Sequence, residues 1–282
     1  MSVRQRSILI APVPLEGESP LSWLRRTAAT HFVTYYSLLK AVDIPAYSDP
    51  DRYLSAEEIC KISAGTNVKR EAVVNMVTHG DQTRCALPEG DGLLLQSRSG
   101  HPTYRFCRSC LASDRIPFLR LCWRLRDWLI CPLHREPLSN GCPHCKQQVS
   151  FTTNRVNSDE NCIAICKLCA GNLAEPDINS IRPTATYDER TFILQEATYS
   201  LAITGTFRVA GIEDPLPMYF YYWLRDNYRW LEIQAMTCQR PDPNLARLIL
   251  NMLEVYKEHC TGAFRIANQR PSASELPPES CH

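Results

Sequence analysis

The stretch that decides the fold runs from Cys131 to Cys145 and reads CPLHREPLSNGCPHC. It contains two pairs of residues of the types that bind metal ions in proteins, Cys131 with His134 and Cys142 with Cys145. Two residues separate the members of each pair, so that both side chains of a tight turn can reach one ion. The stretch therefore holds either the four ligands of one site or the halves of two sites.

Two further pairs with the same spacing flank this stretch, Cys107 with Cys110 and Cys166 with Cys169. Twenty residues separate the first flanking pair from Cys131, and twenty separate Cys145 from the last pair. This equal spacing predicts two sequential sites. The first would use Cys107, Cys110, Cys131 and His134, and the second Cys142, Cys145, Cys166 and Cys169.

An interleaved cross-brace is the alternative arrangement of the four pairs. Cross-braces of the RING type usually place the next ligand two or three residues after the histidine, whereas seven residues lie between His134 and Cys142. Cys162 lies four residues before Cys166 and is a further candidate ligand. Sites closed by four protein ligands stabilise structure, and thiolate with imidazole favours zinc. We therefore expect two structural zinc ions.

Composition and charge indicate the compartment of the protein and how strongly its overall charge attracts nucleic acid. The chain has 282 residues, with 31 Lys and Arg against 30 Asp and Glu, so no overall field attracts it to nucleic acid. It has no secretion signal and no apolar run of about 18 residues, which predicts a cytoplasmic protein without a membrane span. Nine of the 14 cysteines lie between residues 107 and 169, as expected for metal ligands in a reducing compartment.

Helical patterns surround the cysteine-rich region. Ser19-Pro20 and Ser55-x-x-Glu58 are typical helix starts, and the stretch after Ser55 reads as helix, Gly65, helix. This predicts a helix-turn-helix or a plain helical hairpin. We expect a mainly α fold with small zinc ribbons, in the following parts: an N-terminal helical, helix-turn-helix-like domain (1–103), a tandem zinc-binding region (104–175), a C-terminal helical domain (185–265) and a disordered tail (266–282).

Arginine and aromatic residues alternate in the cysteine-rich region. Seven arginines and no lysine lie between Arg105 and Glu136, opposed by three acidic residues. Such composition suits phosphate contacts and base stacking, and also protein interfaces, while aromatic residues alone also fill small cores. The candidate nucleic-acid or partner contacts are Arg105, Arg108, Arg115, Arg120, Arg124, Arg126, Arg25, Arg26, Lys69 and Arg70.

Catalytic motifs are absent from the sequence. No G-x-S-x-G, H-E-x-x-H or G-x-x-x-x-G-K-[ST] occurs, and the carboxylates are too scattered to define a metal-dependent nuclease site. Together with closed metal sites, this predicts a protein that is not an enzyme.

Three stretches carry a family pattern. They are PLEGES with LSWLRR at residues 14–19 and 21–26, FCRSCL at residues 106–111, and LCWR at 121–124 with CPLH at 131–134 and CPHC at 142–145. Together they resemble the TniQ/TnsD family of transposon target-selection proteins, over roughly residues 12–170. Residues 185–282 match no motif of that family.

The resemblance implies a non-catalytic adaptor with a helical fold, helix-turn-helix elements and zinc ribbons. Proteins of this kind connect target recognition to a AAA+ transposition regulator, and some act as homodimers. Recognition would come from an RNA-guided CRISPR effector complex, as in CRISPR-associated transposons, or from direct reading of attachment-site DNA. The alternative function is a stand-alone zinc-containing regulator that binds a specific DNA sequence.

Overall fold

A computed structural model describes residues 11–45, 49–76, 93–97, 101–149, 162–175 and 188–268. The chain divides into two compact units, Met1–Gly205 and Thr206–His282. Within the described residues the structure is mostly helical, with two cysteine-rich clusters, as predicted. The finer division into four parts stays a prediction.

Helix α1 (Pro20–Thr30) forms the core of the first unit. It begins where the Ser19 side chain accepts a hydrogen bond from the Ser22 N–H, with Pro20 in its first turn. Both features stabilise a helix start, because the first N–H groups of a helix lack internal partners. Leu21, Trp23 and Leu24 are then buried on the helix.

Four short helices follow α1 among the described residues of the N-terminal part: α2 (Tyr35–Ala41), α3 (Pro50–Tyr53), α4 (Ala56–Thr66) and α5 (Arg70–Val74). The predicted capping box at Ser55 is confirmed, since its side chain and that of Glu58 cap each other's backbone. The described residues do not settle the helix-turn-helix prediction, because residues 77–92, which follow α5, lie outside them.

The turn that was predicted at Gly65 lies just after this residue. Helix α4 includes Gly65 and ends at Thr66, and its C-cap residue Asn67 adopts the left-handed conformation with φ of 59°. Gly65 serves close packing instead, because a Cβ atom there would lie 2.9 Å from Cγ1 of Val42. Asparagine tolerates the left-handed conformation better than most residues and so can end the helix.

The cysteine-rich region contributes α6 (Arg108–Ser113) and a 3-10 helix (Leu121–Arg124), and α7 (Glu189–Thr204) follows it. The Gln195 side chain of α7 accepts from the N–H groups of Leu129 and Ile130 and donates to the Ile130 carbonyl. Helix α7 therefore lies in the first unit, although the sequence placed it at the start of a C-terminal domain.

The second unit has a two-stranded antiparallel sheet, β1 (Thr206–Phe207) with β2 (Leu216–Pro217). Three helices follow, α8 (Met218–Asn227), α9 (Arg229–Thr237) and α10 (Pro243–Asn268). Helices α8 and α9 are separated at Tyr228, whose φ of −142° and ψ of 57° lie outside the helical region.

Helix α10 includes residues 266–268, which were predicted to begin a disordered tail. The rest of that tail lies outside the described residues. Among the helices that the structure describes, none combines the length and the apolar character needed to cross a bilayer.

Candidate metal centres

The first cluster brings together the predicted ligands Cys107, Cys110, Cys131 and His134. Their Sγ and Nδ1 atoms all lie within 4.8 Å of one another. The Sγ atoms of Cys110 and Cys131 are 3.6 Å apart, and Nδ1 of His134 lies 3.3 Å from Sγ of Cys107. A Zn–S bond of about 2.3 Å in tetrahedral geometry puts two sulfur atoms about 3.8 Å apart. The cluster therefore fits one tetrahedral metal ion.

The second cluster consists of Cys142, Cys145, Cys166 and Cys169, whose Sγ atoms also lie within 4.8 Å of one another. Sγ of Cys142 is 3.6 Å from that of Cys169, and Sγ of Cys145 is 3.8 Å from that of Cys166. The pairs thus group sequentially and not in the interleaved way. Cys162 is exposed and belongs to neither cluster.

Two kinds of turn present these ligands. Cys107 caps helix α6, since its Sγ accepts a hydrogen bond from the Cys110 N–H, and the helix then brings Cys110 onto the same side. The Glu136 carboxylate accepts from the N–H and hydroxyl of Ser109 and so holds this turn. The other three pairs lie in tight hairpins, which we call the knuckles.

The knuckles, residues 131–136, 142–147 and 166–171, share one backbone geometry. In each, the N–H of the first cysteine donates to the carbonyl five residues later, at 2.9 Å in all three. The N–H four residues after that cysteine donates back to its carbonyl, at 2.8, 3.0 and 2.9 Å. An isolated β-bridge closes each hairpin, as between Ile130 and Pro137. Such a hairpin fixes two ligands at a two-residue spacing.

Crowding of the thiols shifts their pKa values in opposite directions. A hydrogen bond with Cys110 raises the pKa of Cys107, and a hydrogen bond with Cys107 lowers that of Cys131. In the second cluster, burial raises the pKa of Cys166 to about 12, while the backbone N–H of Gly171 helps lower that of Cys169 to about 7. The lowered pKa values of Cys131 and Cys169 favour the thiolate, which is the form that binds metal.

A buried polar network joins helix α1 to the cysteine-rich region. Ser19 shares a hydrogen bond of 2.9 Å with the Tyr104 hydroxyl, and Ser22 donates to Glu18 at 2.8 Å and accepts from the Leu119 N–H at 3.0 Å. The Glu18 carboxylate also lies 3.2 Å from Nε of Arg26. Burial raises the pKa of Glu18, and the charge of Arg26 opposes that shift.

Arg124 lies at the centre of a second set of buried contacts. Its guanidinium binds Asp49 through both nitrogens, at 2.9 and 2.8 Å, and Asp51 at 2.9 Å. Asp51 also accepts from the Tyr104 hydroxyl and, at 2.8 Å, from the Leu21 N–H. Helix α3 thereby connects α1 to the 3-10 helix that carries Arg124.

The sequence motifs, the two metal clusters and the buried network all lie between residues 14 and 169. The family model for TniQ matches residues 9–138. Residues 9–138 form a TniQ domain. The match supports the membership of the TniQ family that the motifs indicated, and it associates the chain with transposition. No curated protein matches the sequence.

Three of the predicted contact residues in the TniQ domain are buried. Arg25 and Arg124 have no exposed surface, and Arg26 is 8% exposed. Arg25 stacks over the Tyr35 ring, and the other two pair with acidic side chains. A buried, paired guanidinium cannot reach a phosphate or a partner, so this burial removes all three from the set of contacts.

The remaining candidates of the TniQ domain differ in exposure. Arg120 is half-buried against Asp114, and Arg105 donates to the carbonyls of Arg126 and Trp128. Arg115, Lys69 and Arg70 are exposed, whereas Arg108 and Arg126 are partly exposed. These residues keep surface from which a partner could be contacted.

The sequence did not reveal Asp49 and Asp51 as partners of Arg124. They lie 75 and 73 residues away along the chain, in a Pro-containing segment without a periodic pattern. Gln195 was missed because its partners Leu129 and Ile130 lie 66 and 65 residues away along the chain. The motif at residues 14–26 was a signal that could have revealed such partners. It places two hydroxyls, a glutamate and an arginine in and just before one helix, and polar groups need internal partners once that helix is buried.

Proposed function

We propose that this transposition-associated protein is a non-catalytic adaptor for target-site selection. It links a target-recognition component, an RNA-guided CRISPR effector complex or attachment-site DNA, to a AAA+ transposition regulator. The observation that carries the proposal is the TniQ domain over residues 9–138, in which the signature residues build the interior. We place its action in the cytoplasm.

The two clusters hold one structural zinc ion each in this proposal. Cys107, Cys110, Cys131 and His134 bind the first ion, and Cys142, Cys145, Cys166 and Cys169 bind the second. Each set supplies four ligands, which completes a tetrahedral shell and leaves no position for water or substrate. Three or four thiolates per site favour zinc over oxygen-preferring cations. The ions would stabilise the turns and take no part in chemistry.

Contacts with partners come, in this proposal, from the cations that keep exposed surface. Arg115, Lys69 and Arg70 are exposed, and Arg108, Arg126, Arg105 and Arg120 keep part of their surface. A net charge of +1 favours an adaptor over a protein that binds free DNA strongly by itself. A homodimer would double this surface.

Affinity purification of the tagged full chain from its own cells tests the proposal. Recovery of a AAA+ regulator, identified by mass spectrometry, would support the adaptor. Co-purifying guide RNA with a CRISPR effector would assign RNA-guided recognition, and a AAA+ regulator without RNA would assign attachment-site DNA.

A stand-alone DNA-binding regulator would give a different result. It would bring down neither partner and would bind one DNA sequence tightly, with a steep dependence on salt. Arg124→Met, which disrupts the interior of the TniQ domain, is the control, because capture that survives this substitution does not depend on the folded domain.

A further inference from the structure

The two metal clusters differ in the kind of ligand that faces solvent. In the first cluster the three cysteines are buried and His134 is exposed, whereas in the second cluster Cys169 is exposed. Cys107, Cys110 and Cys131 have at most 1% of their surface exposed. The ligand that solvent reaches most easily is therefore an imidazole in the first cluster and a thiol in the second.

The backbone geometry of the knuckles explains which ligand is exposed. The first cysteine of a knuckle is buried, as at Cys131 and Cys166, which are 1% and 2% exposed. The ligand three residues later has more exposed surface, since Cys145 is partly exposed and both His134 and Cys169 are exposed. The clusters thus differ in the residue type at one shared position and not in the knuckle that carries it.

The exposed sulfur of the second cluster is suited to oxidation. Peroxides oxidise accessible thiolates, and metal binding keeps a cysteine ligand in the thiolate form, whereas an imidazole has no sulfur to oxidise. Sγ of Cys142 lies 3.6 Å from Sγ of Cys169 and supplies the second sulfur for a disulfide. An exposed thiolate with a resolving cysteine beside it is the arrangement of redox-sensor cysteines.

We propose that Cys169 is a site of oxidation by hydrogen peroxide and that a Cys142–Cys169 disulfide then opens the second metal cluster. The inference rests on the proposed function, because it takes the two ligand sets and their zinc ions from there. The second cluster would respond to an oxidant that leaves the first cluster unchanged.

The reaction balances with peroxide as the single co-reactant. The Cys169 thiolate attacks one peroxide oxygen, the O–O bond breaks, and Cys169 becomes a sulfenic acid while hydroxide leaves. The Cys142 thiolate then attacks the sulfenic sulfur, which forms the disulfide and releases a second hydroxide. The two sulfur atoms together lose two electrons, and peroxide gains them.

Oxidation of this pair removes two of the four donors of the second cluster. Cys145 and Cys166 alone would hold zinc weakly, since a structural site uses four protein ligands. The first cluster lies within the TniQ domain, whereas the second lies beyond residue 138. Peroxide would therefore loosen the knuckles that follow the TniQ domain, while the domain keeps its own ion.

Exchange of the exposed ligand between the two clusters tests the proposal. Cys169→His gives the second cluster the three cysteines and one histidine of the first, and His134→Cys gives the first cluster an exposed thiol. Cys162→Ser is the control, because Cys162 is exposed and lies outside both clusters. All variants are made in the full chain, and their zinc content is measured before treatment.

The readouts are zinc release by hydrogen peroxide, followed with a chromophoric chelator, and location of the disulfide by peptide mapping. We expect the parental chain and Cys162→Ser to release one of two ions and to contain the Cys142–Cys169 disulfide. Cys169→His should release neither ion, and His134→Cys should release both. A dithiol reductant should restore zinc binding, because thiol–disulfide exchange returns both cysteines to thiols.

Three results would overturn the proposal. The first is a parental chain that keeps both ions under peroxide, and the second is release from Cys169→His as fast as from the parental chain. The third is a peptide map in which Cys169 is unmodified after zinc has left. If Cys169→His does not bind two ions before treatment, the parental map and the response of His134→Cys decide the question.

The proposed function is tested separately on the untreated chain. Its zinc content tests the two ligand sets, and its capture of a AAA+ regulator tests the adaptor. A chain that binds two ions and captures the regulator but resists peroxide would refute the oxidation site alone. A chain without zinc would refute the zinc assignment and this inference with it.

Discussion

Arg124 and Asp49 form a two-pronged ion pair in the protein interior, with Nη1–Oδ1 and Nη2–Oδ2 distances of 2.9 and 2.8 Å. Neither side chain has exposed surface, and the two residues lie 75 positions apart along the chain. Burial of charge is costly unless each group is paired, and here the pairing also brings in Asp51. The pair therefore joins the N-terminal helices to the cysteine-rich region.

Substitution of Arg124 should strongly destabilise the protein. Arg124→Met leaves Asp49 and Asp51 buried without their cation, which typically costs about 3–5 kcal/mol of unfolding free energy. Urea denaturation at pH 7, followed by tryptophan fluorescence, measures the change.

Arg120→Met is the matched control for this substitution. Arg120 also binds a carboxylate through both nitrogens, but its pair with Asp114 is partly exposed. Solvent weakens such a pair, so the loss should be about 1 kcal/mol. Equal losses of unfolding free energy in the two variants would mean that burial does not increase the contribution of the Arg124 ion pair to stability.

Removal of one ligand should release one metal ion and leave the other bound. We expect Cys107→Ser to empty the first cluster alone and Cys166→Ser the second alone, because the two clusters share no ligand. Metal content by mass spectrometry should fall from two ions per chain to one in either variant. Cys162→Ser is the control, since Cys162 is exposed and outside both clusters. Loss of both ions, or of neither, from one substitution would contradict the ligand sets.

Metal affinity should fall with decreasing pH, most steeply at the second cluster. Burial raises the pKa of Cys142, and that of Cys166 to about 12, so without metal both thiols carry protons at pH 7. The metal-bound state holds fewer protons, and binding must therefore weaken as pH falls. Displacement of at least two protons corresponds to at least about a 100-fold increase in Kd per pH unit below pH 7.

A competition titration with a zinc chelator between pH 6 and 8 measures this dependence. Two thiols with a raised pKa, Cys107 and Cys110, are present in the first cluster as well. The first cluster should still respond less, because a hydrogen bond with Cys107 lowers the pKa of Cys131, whereas Cys169 of the second cluster, with a pKa of about 7, takes up a proton as the pH falls. The variant Cys107→Ser isolates the second cluster and Cys166→Ser the first. Equal slopes for the two variants would contradict the account of the protonated thiols.

Gly171→Ala should weaken the third knuckle through a clash with His144. A Cβ atom at residue 171 would lie 2.3 Å from Cδ2 and 2.6 Å from Cγ of His144. The imidazole would have to leave its contacts with the Asn172 carbonyl and Glu175. We expect a lower metal affinity at the second cluster, measured by chelator competition.

His144→Ala combined with Gly171→Ala should restore much of that affinity, because the clashing ring is then absent. The single variant His144→Ala completes the cycle and corrects for the lost contacts of the imidazole. If the double variant binds metal no better than Gly171→Ala alone, the clash is not the cause of the defect.

The metal clusters were predictable from the sequence because each ligand pair is local. A two-residue spacer fixes a knuckle almost independently of the rest of the chain, and equal 20-residue spacers led to the sequential grouping. The helix starts at Ser19 and Ser55 were predictable for the same reason, since a cap depends on only four residues.

Contacts between residues that are far apart in the sequence account for the predictions that the structure corrected. Gly65 was predicted to lie in the turn itself, but it lies at the end of α4, where the close approach of Val42 favours glycine. Arg124 looked like a contact residue, because a sequence shows its charge but not the distant Asp49 and Asp51 that neutralise it. The interruption at Tyr228 likewise could not be predicted from the sequence, because no Gly or Pro marks it.

Mapping of insertion sites tests the central claim most directly. Cells carrying the mobile element with its transposase and AAA+ regulator are compared with and without this chain, and insertions are located by sequencing. We predict that insertion at the preferred target falls to background without the chain and returns when the chain is supplied. The same distribution of insertions in both cases would contradict a role in target-site selection.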